Sequence, residues 1–277
     1  MAYKDILVHV DTAKSAATRL DFAARLAVTQ DAHLTALHVV PPPYIPADIM
    51  GTGVGADVVA WHREQRDRRV ADIHALIAQV QQRHGVTIEE RVVDGGIEPT
   101  ILDHSRYTDL IVASQPGDLL DLDQPLQPSP GNLVVGAGCP VLVLPAAGTP
   151  QMPGNHILIA WKPCAEAARA VRGALPLLKK AKAVTVLSAN VDTKDQPRIA
   201  GADIATHLAR HGVKVTVMPF TAPDMDVGSL ILARAADLGA DLIVMGGYGH
   251  SRLREMVLGG VTYHILKNQI VPVLLAS

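Results

Sequence analysis

The two halves of this chain repeat one another. Asp109-Leu-Ile-Val112 returns as Asp241-Leu-Ile-Val244, and Cys139-Pro-Val-Leu-Val143 as Val271-Pro-Val-Leu-Leu275. Ile6 to Val10 is answered by Ile157 to Trp161, and Gly85-Val-Thr-Ile88 by Gly212-Val-Lys-Val215. A period of roughly 130 residues is far longer than a solenoid repeat and has the size of a domain, so the duplication means two like domains. The 277-residue length suits that reading. Pro145 to Asn155, built from Pro, Ala, Gly and Thr with few apolar side chains, is a linker by composition. The expected domains are 1–147 and 154–277.

Each copy alternates strand and helix. Ile6 to Val10 is a short apolar run of the buried-strand type, and Lys14 to Thr29 carries apolar residues at helical spacing. Leu34 to Val40 is a second strand, stopped by three prolines at 41–43; Tyr44 to Gly55 is a loop rich in Pro and Gly. Asp57 to His84 reads as a long helix closed by Gly85, and Val86 to Val93 as a strand. Glu98-Pro99 opens a short helix, and Asp109 to Ala113 and Val141 to Leu144 are further strands. In the second half, Ala165 to Lys180, Ala183 to Leu187, Asp195 to Arg210 and Gly212 to Val217 repeat the series. Such alternation requires crossover connections and a parallel sheet covered by helices on both faces. In open sheets of that kind a ligand lies outside the carboxyl ends of the strands, where strand order reverses.

Composition narrows the function classes. A net charge of −2 gives no basic surface, so nucleic acid is not an expected partner. No apolar run approaches a membrane span and the amino terminus carries no signal peptide, so a cytoplasmic location is expected. Cys139 and Cys164 make no disulfide framework. His62, His74, His84 and His104 do not fall at metal-ligand spacing, and no metal site is expected. No catalytic residue is assigned, since no Ser/His/Asp arrangement follows from spacing and Ser251 lacks a nucleophile-elbow setting.

The stretch with chemical character is Gly246 to Thr262. It follows the strand Asp241 to Met245, precedes a helix expected over Val261 to Asn268, and contains Gly246, Gly247, Gly249, Gly259 and Gly260. Glycines between a strand and a helix N-terminus let backbone N–H groups surround an anion. The counterpart in the first half, Ser114 to Gly138, instead holds Pro116, Pro125, Pro128 and Pro130 with Asp118, Asp121 and Asp123, a setting that repels phosphate.

Gly246, Gly249 and Gly259 match in spacing a signature of Gly, two residues, Gly, nine residues, Gly, then Ser or Thr; Gly260 stands at the hydroxyl position. On that motif and the duplication, the chain resembles a tandem member of the universal stress protein family. The resemblance covers nearly the whole chain. It implies two doubly wound α/β domains, each a five-stranded parallel sheet of order 3-2-1-4-5 flanked by helices. It also implies a pocket that in some members holds ATP, while others bind no nucleotide. Carried over by position, the phosphate side is Met245, Gly246, Tyr248, Gly249, Gly259, Gly260, Val261 and Thr262. The base and ribose side is Ala160, Trp161, Lys162 and Ala189. Members that hold ATP tend to carry an Asp where the second half has Lys162; the first half keeps Asp11 there.

The implied ligand is ATP or another adenine nucleotide, with magnesium only as its companion. The implied role is a stress-response regulator. The alternatives are an interaction scaffold of the same family that binds no nucleotide, with Trp161 and side chains from the loop filling the pocket, and a slow ATP hydrolase in which Glu255 positions water. Family analogy makes the fifth strands pairing edges, so that the halves form a pseudo-dimer within one chain. Further homodimerisation and a protein partner stay open. Three more features carry competing readings. His250, Arg252 and Arg254 either complement phosphate or face water. Cys164, at a helix start near Lys162, is either a thiol of lowered pKa or incidental. Arg63, Arg66, Arg68 and Arg69 alternate with Glu64 and Asp67 and read as a solvated helix face.

Overall fold

The structure, a computed structural model, describes residues 2–42, 55–115, 127–189, 201–220, 226–248 and 260–277. In the first half, β1 (Asp5–His9), α1 (Ala16–Gln30), β2 (His33–Val40), α2 (Gly55–His84), β3 (Ile88–Asp94), α3 (Ile97–Ser105), β4 (Leu110–Ser114), α4 (Pro130–Gly136) and β5 (Val141–Leu144) follow in order. The second half supplies β6 (His156–Trp161), α5 (Ala165–Leu178), β7 (Ala183–Ala189), α6 (Ala202–Arg210), β8 (Val215–Phe220), α7 (Val227–Asp237), β9 (Leu242–Gly246), α8 (Val261–Asn268) and β10 (Val273–Ala276).

Among the described residues ten strands make one sheet, ordered β3-β2-β1-β4-β5-β10-β9-β6-β7-β8. Each half therefore has the expected order 3-2-1-4-5. Within a half every pairing is parallel. At the centre β5 and β10 run antiparallel, with Leu142 opposite Leu274 and flanking pairs Val141–Leu275 and Val143–Val273.

The central strands are apolar without alternation because both faces are covered. On one face Ile6, Val8, Ile157 and Ile159 pack under α1, α2, α5 and α6, through residues such as Leu20, Ile77, Val171 and Leu208. On the other, Leu7, Ile111, Leu158 and Ile243 pack under α3, α4, α7 and α8, through Ile101, Val134, Ile231 and Ile265. Each apolar layer runs through both halves without a break.

Two helices depart from the sequence reading. Pro130 to Gly136, read above as part of a proline-rich loop, is a helix with Ser129 as its cap, accepting from the Asn132 N–H at 3.4 Å, and a proline in its first turn. Proline is compatible there because the first-turn N–H has no helical acceptor anyway. Glu98 of α3 holds that start by accepting from the Ser129 N–H at 2.8 Å and from the Asn132 side chain at 2.9 Å. The second departure is α7, which is absent from the elements expected above. Its signal was there: Asp226 in cap position, then Leu230, Ile231 and Ala235 at helical spacing. The helix expected over Asp195 to Arg210 begins at Ala202, with Gly201 as its N-cap in a left-handed backbone of φ 87°; residues 195–200 lie outside the described set. Pro116, Asp118, Asp121, Asp123 and Pro125 lie outside it as well.

Candidate functional site

Three helix N-termini of the second half point at the carboxyl ends of β6 and β9, where strand order reverses. Between them lies a cavity of about 410 Å³. Ala160, Trp161 and Lys162 come from the end of β6, Met245 and Gly246 from β9, Tyr248 from the turn after it, and Val261 and Thr262 from the first turn of α8. The cavity thus gathers these eight candidates. It is also lined by residues that the sequence does not mark for ligand binding: Leu187 of β7, Phe220 of β8, and Val227 and Ile231 of α7. The only sequence signal for them is position, near the end of a strand or within the first two turns of a helix.

Gly249 and Gly259 lie outside the described residues, as do His250, Ser251, Arg252, Arg254 and Glu255. Ala189 is the last residue of β7. Gly260 is the N-cap of α8 and contributes no side-chain cap. The first helical bond of α8 runs from the His264 N–H to the Gly260 carbonyl, leaving the N–H groups of Val261 to Tyr263 without helical acceptors. Cys164 likewise starts α5 without a side-chain cap. By contrast α7 is closed by Asp226, which accepts from the Ser229 N–H at 3.0 Å. Two uncapped N-termini therefore present bare N–H groups and the positive end of the helix dipole near the cavity.

The glycines here have steric work. A Cβ on Gly246 would stand 2.5 Å from the Ala167 backbone nitrogen, so glycine is what lets the end of β9 meet the start of α5. Tyr248 takes a left-handed backbone with φ of 57°. Its hydroxyl reaches across to α4 of the first half, where a Cβ on Gly131 would lie 2.5 Å from it. One wall of the cavity is thereby seated on the other half. Trp161 packs against the sheet core at the cavity wall. Lys162 is exposed at its edge. The Cys164 thiol is pushed up, not down, chiefly by burial, with Glu166 adding to the shift and the Ala167 backbone N–H, then Lys162, opposing it. Of the two readings of Cys164, the incidental one therefore fits: desolvation outweighs the groups that would favour a thiolate.

The equivalent place in the first half is nearly full. Along the repeated strands His9 stands where Ala160 does, Asp11 where Lys162 does, and Ser114 where Gly246 does. Arg19 of α1 enters among them: its Nε donates to the His9 carbonyl at 2.7 Å and one terminal nitrogen to the Ser114 hydroxyl at 3.0 Å. The other terminal nitrogen lies 3.0 Å from Asp11 Oδ2, and Asp11 Oδ1 accepts from the Ala13 N–H at 2.9 Å. Burial, and then the Arg19 charge, lowers His9 to about 3, so its ring is neutral. What remains open is about 10 Å³.

A model of the universal stress protein family matches residues 2–145 and again 154–277. The chain belongs to the universal stress protein family. A universal stress protein from Archaeoglobus fulgidus superposes over 99% of this chain and 96% of its own at a TM-score of 0.69 and 16% identity. A functionally unknown protein from Pseudomonas aeruginosa covers 99% of this chain and 92% of its own, with a TM-score of 0.57 and 18% identity. At these identities the likeness is one of fold. Among curated proteins, universal stress protein MJ0577 of Methanocaldococcus jannaschii is 42% identical over 47 residues, 17% of this chain. The chain spans 29% of the length of that relative.

Proposed function

We propose that this universal stress protein is a regulatory binding module whose second half takes up an adenine nucleotide, while its first half is a structural copy. The observation that carries this reading is the contrast between the two equivalent places: about 410 Å³ in one and about 10 Å³ in the other. The larger volume lies in the range of small-molecule sites. Its wall of Trp161, Leu187, Phe220, Ile231 and Met245 suits a flat base, and the bare N–H groups of α5 and α8 suit phosphate. Ligation would bias the cavity wall formed by Tyr248, and with it the surface offered to a protein partner. A magnesium ion would arrive with the nucleotide.

The scaffold reading fills the pocket with Trp161 and side chains of the glycine loop. Trp161 lies on the wall beside an open volume, which supports the nucleotide reading, while loop residues 249–259 lie outside the described residues. Hydrolysis ranks last, as no described side chain at the cavity offers a carboxylate dedicated to water: Glu166 already has an interaction partner. Lys162 in place of a ribose-binding carboxylate removes one charge-assisted hydrogen bond, worth about 1.5–3 kcal/mol, or roughly ten- to a hundredfold in affinity.

Calorimetry with ATP, ADP and AMP tests the proposal. Binding is expected, and Val227→Trp, which pushes an indole into the cavity from the rim of α7, should weaken it at least tenfold with the fold intact. Absence of heat at millimolar nucleotide, or binding indifferent to Val227→Trp, would remove it.

A further inference from the structure

A second cavity, of about 480 Å³, lies in the first half between α2 and the carboxyl ends of β2 and β3. It shares no lining residue with either place described above. It sits on the opposite face of the sheet, since His38 alternates with Leu37 and Val39, which belong to the α3 side. Its helical wall is Val59, His62, Arg63, Arg66 and Arg69, positions that share one side of α2 at helical spacing.

The sequence suggested that the arginines of α2 form a solvated face neutralised by Glu64 and Asp67. Arg63, Arg68 and Arg69 are exposed, as that reading has it, but the arginines differ in their partners. Arg68 pairs with Glu64 away from the cavity. Arg66 grips both oxygens of Asp94, at 3.2 and 3.3 Å, and also meets Asp67 at 3.4 Å. Arg63 and Arg69 line the cavity and have no carboxylate partner among the described residues. The lining therefore carries three guanidiniums against one carboxylate.

His38 completes the wall and is only 6% exposed. Its Nδ1, 2.9 Å from the Val10 carbonyl oxygen, is the nitrogen that donates. Nε2 has no partner among the described residues. Burial lowers the His38 pKa; the Val10 carbonyl, Asp11 and Glu90 oppose this, and Arg69 adds to it. Asp11 is already engaged by Arg19 and Glu90 by His74. Arg63 and Arg69 are exposed, so water screens their mutual repulsion, and an anion met by both guanidiniums offsets what remains of it. The forked donors of arginine fit phosphate and carboxylate oxygens in pairs.

We propose that this cavity binds a small multiply charged oxyanion, held by Arg63 and Arg69, with His38 taking up a proton as the anion enters. Val40, Pro41, Pro42 and Val59 leave an apolar side for the body of an organic ligand. This site is independent of the nucleotide reading.

The test is calorimetry on the full chain with pyrophosphate and, separately, citrate, which distinguish a phosphate-bearing from a carboxylate-bearing ligand. At least one should bind, and the Arg63→Gln, Arg69→Gln pair should weaken it tenfold or more, while Val227→Trp leaves it unchanged. The single Arg69→Gln variant should show a smaller loss in the same direction. Nitrogen-detected NMR of His38 should show its pKa raised by at least one unit on saturation. No binding of either probe at millimolar concentration, binding lost in Val227→Trp but not in the arginine pair, or a His38 titration that does not move, each overturns the proposal.

Discussion

Arg19 sits in the buried stripe of α1 among Ala16, Leu20, Ala23 and Ala27, a place where helices carry no charge without a partner. Its partner is Asp11, and together they fill what the second half leaves open. A buried pair contributes little net stability, but breaking it strands a charge. Arg19→Met should therefore cost about 3–5 kcal/mol in urea denaturation. Adding Asp11→Leu should recover much of that loss, because both charges then leave the core together. Equal losses in the single and double variants would mean that packing, not the stranded carboxylate, sets the cost. The pair was within reach of the sequence: a lone arginine in an apolar stripe demands an acid, and Asp11 ends the preceding strand. That it blocks a site was not legible, because the distance from α1 to β4 and Ser114 is tertiary.

Among the elements, α7 shows how a short cap positions a wall of the second-half cavity. Asp226 accepts from the N–H groups of Gly228 and Ser229 and from the Ser229 hydroxyl, and its carboxylate also lies 3.3 Å from His264 Nδ1 of α8. The Ser229 N–H, followed by its hydroxyl, holds the Asp226 carboxyl below the usual range. Asp226→Ala should cost about 1 kcal/mol at neutral pH, as other lost helix caps do. The sign with pH follows from the lowered value. The cap contributes fully above the unfolded carboxylate pKa of about 4 and is lost as pH falls through the lower folded value. Denaturant midpoints of parent and variant should thus differ most at pH 7 and approach each other near pH 3; a difference constant with pH would contradict this. The helices with clear caps or glycine stops, such as α2 closing at Gly85 with φ of 62°, could be read from residue order. The start of α4 was hidden because prolines were counted as breakers, when a proline just after a Ser cap is a helix opener.

At the scale of the molecule, the halves are one folding unit. Leu142 and Leu274 are fully buried at the antiparallel centre, and each apolar layer draws on both halves. Tyr3 of the first half donates to the Gly173 carbonyl of α5 at 2.6 Å, and the Gln269 side chain donates to the Val143 carbonyl at 3.1 Å inside the core. Pro140 packs so closely on α5 that a Cβ on Gly173 would lie 2.7 Å from it. Calorimetric unfolding should accordingly show one transition, with equal calorimetric and van't Hoff enthalpies. Leu142→Asp, a charge at the junction, should lower that single transition without splitting it. Two resolved transitions in the parent protein would show that the shared layers do not couple the halves.

Sequence alone determined the duplication, the α/β alternation and the position of the strand ends, because these depend on residue order and on periodicities of two and 3.6. It also points to the turn after β9 as the expected site, since a glycine-rich turn after a strand has a local cause. Only the tertiary structure decided which of two equivalent places stays open. That outcome rests on volume and on charges brought together from separate elements: Ala160 and Gly246 leave room, whereas His9, Ser114 and the Arg19–Asp11 pair take it. The same holds for α2, where order along the chain shows alternating charge and only the fold reveals which arginines are left facing a cavity without an acid.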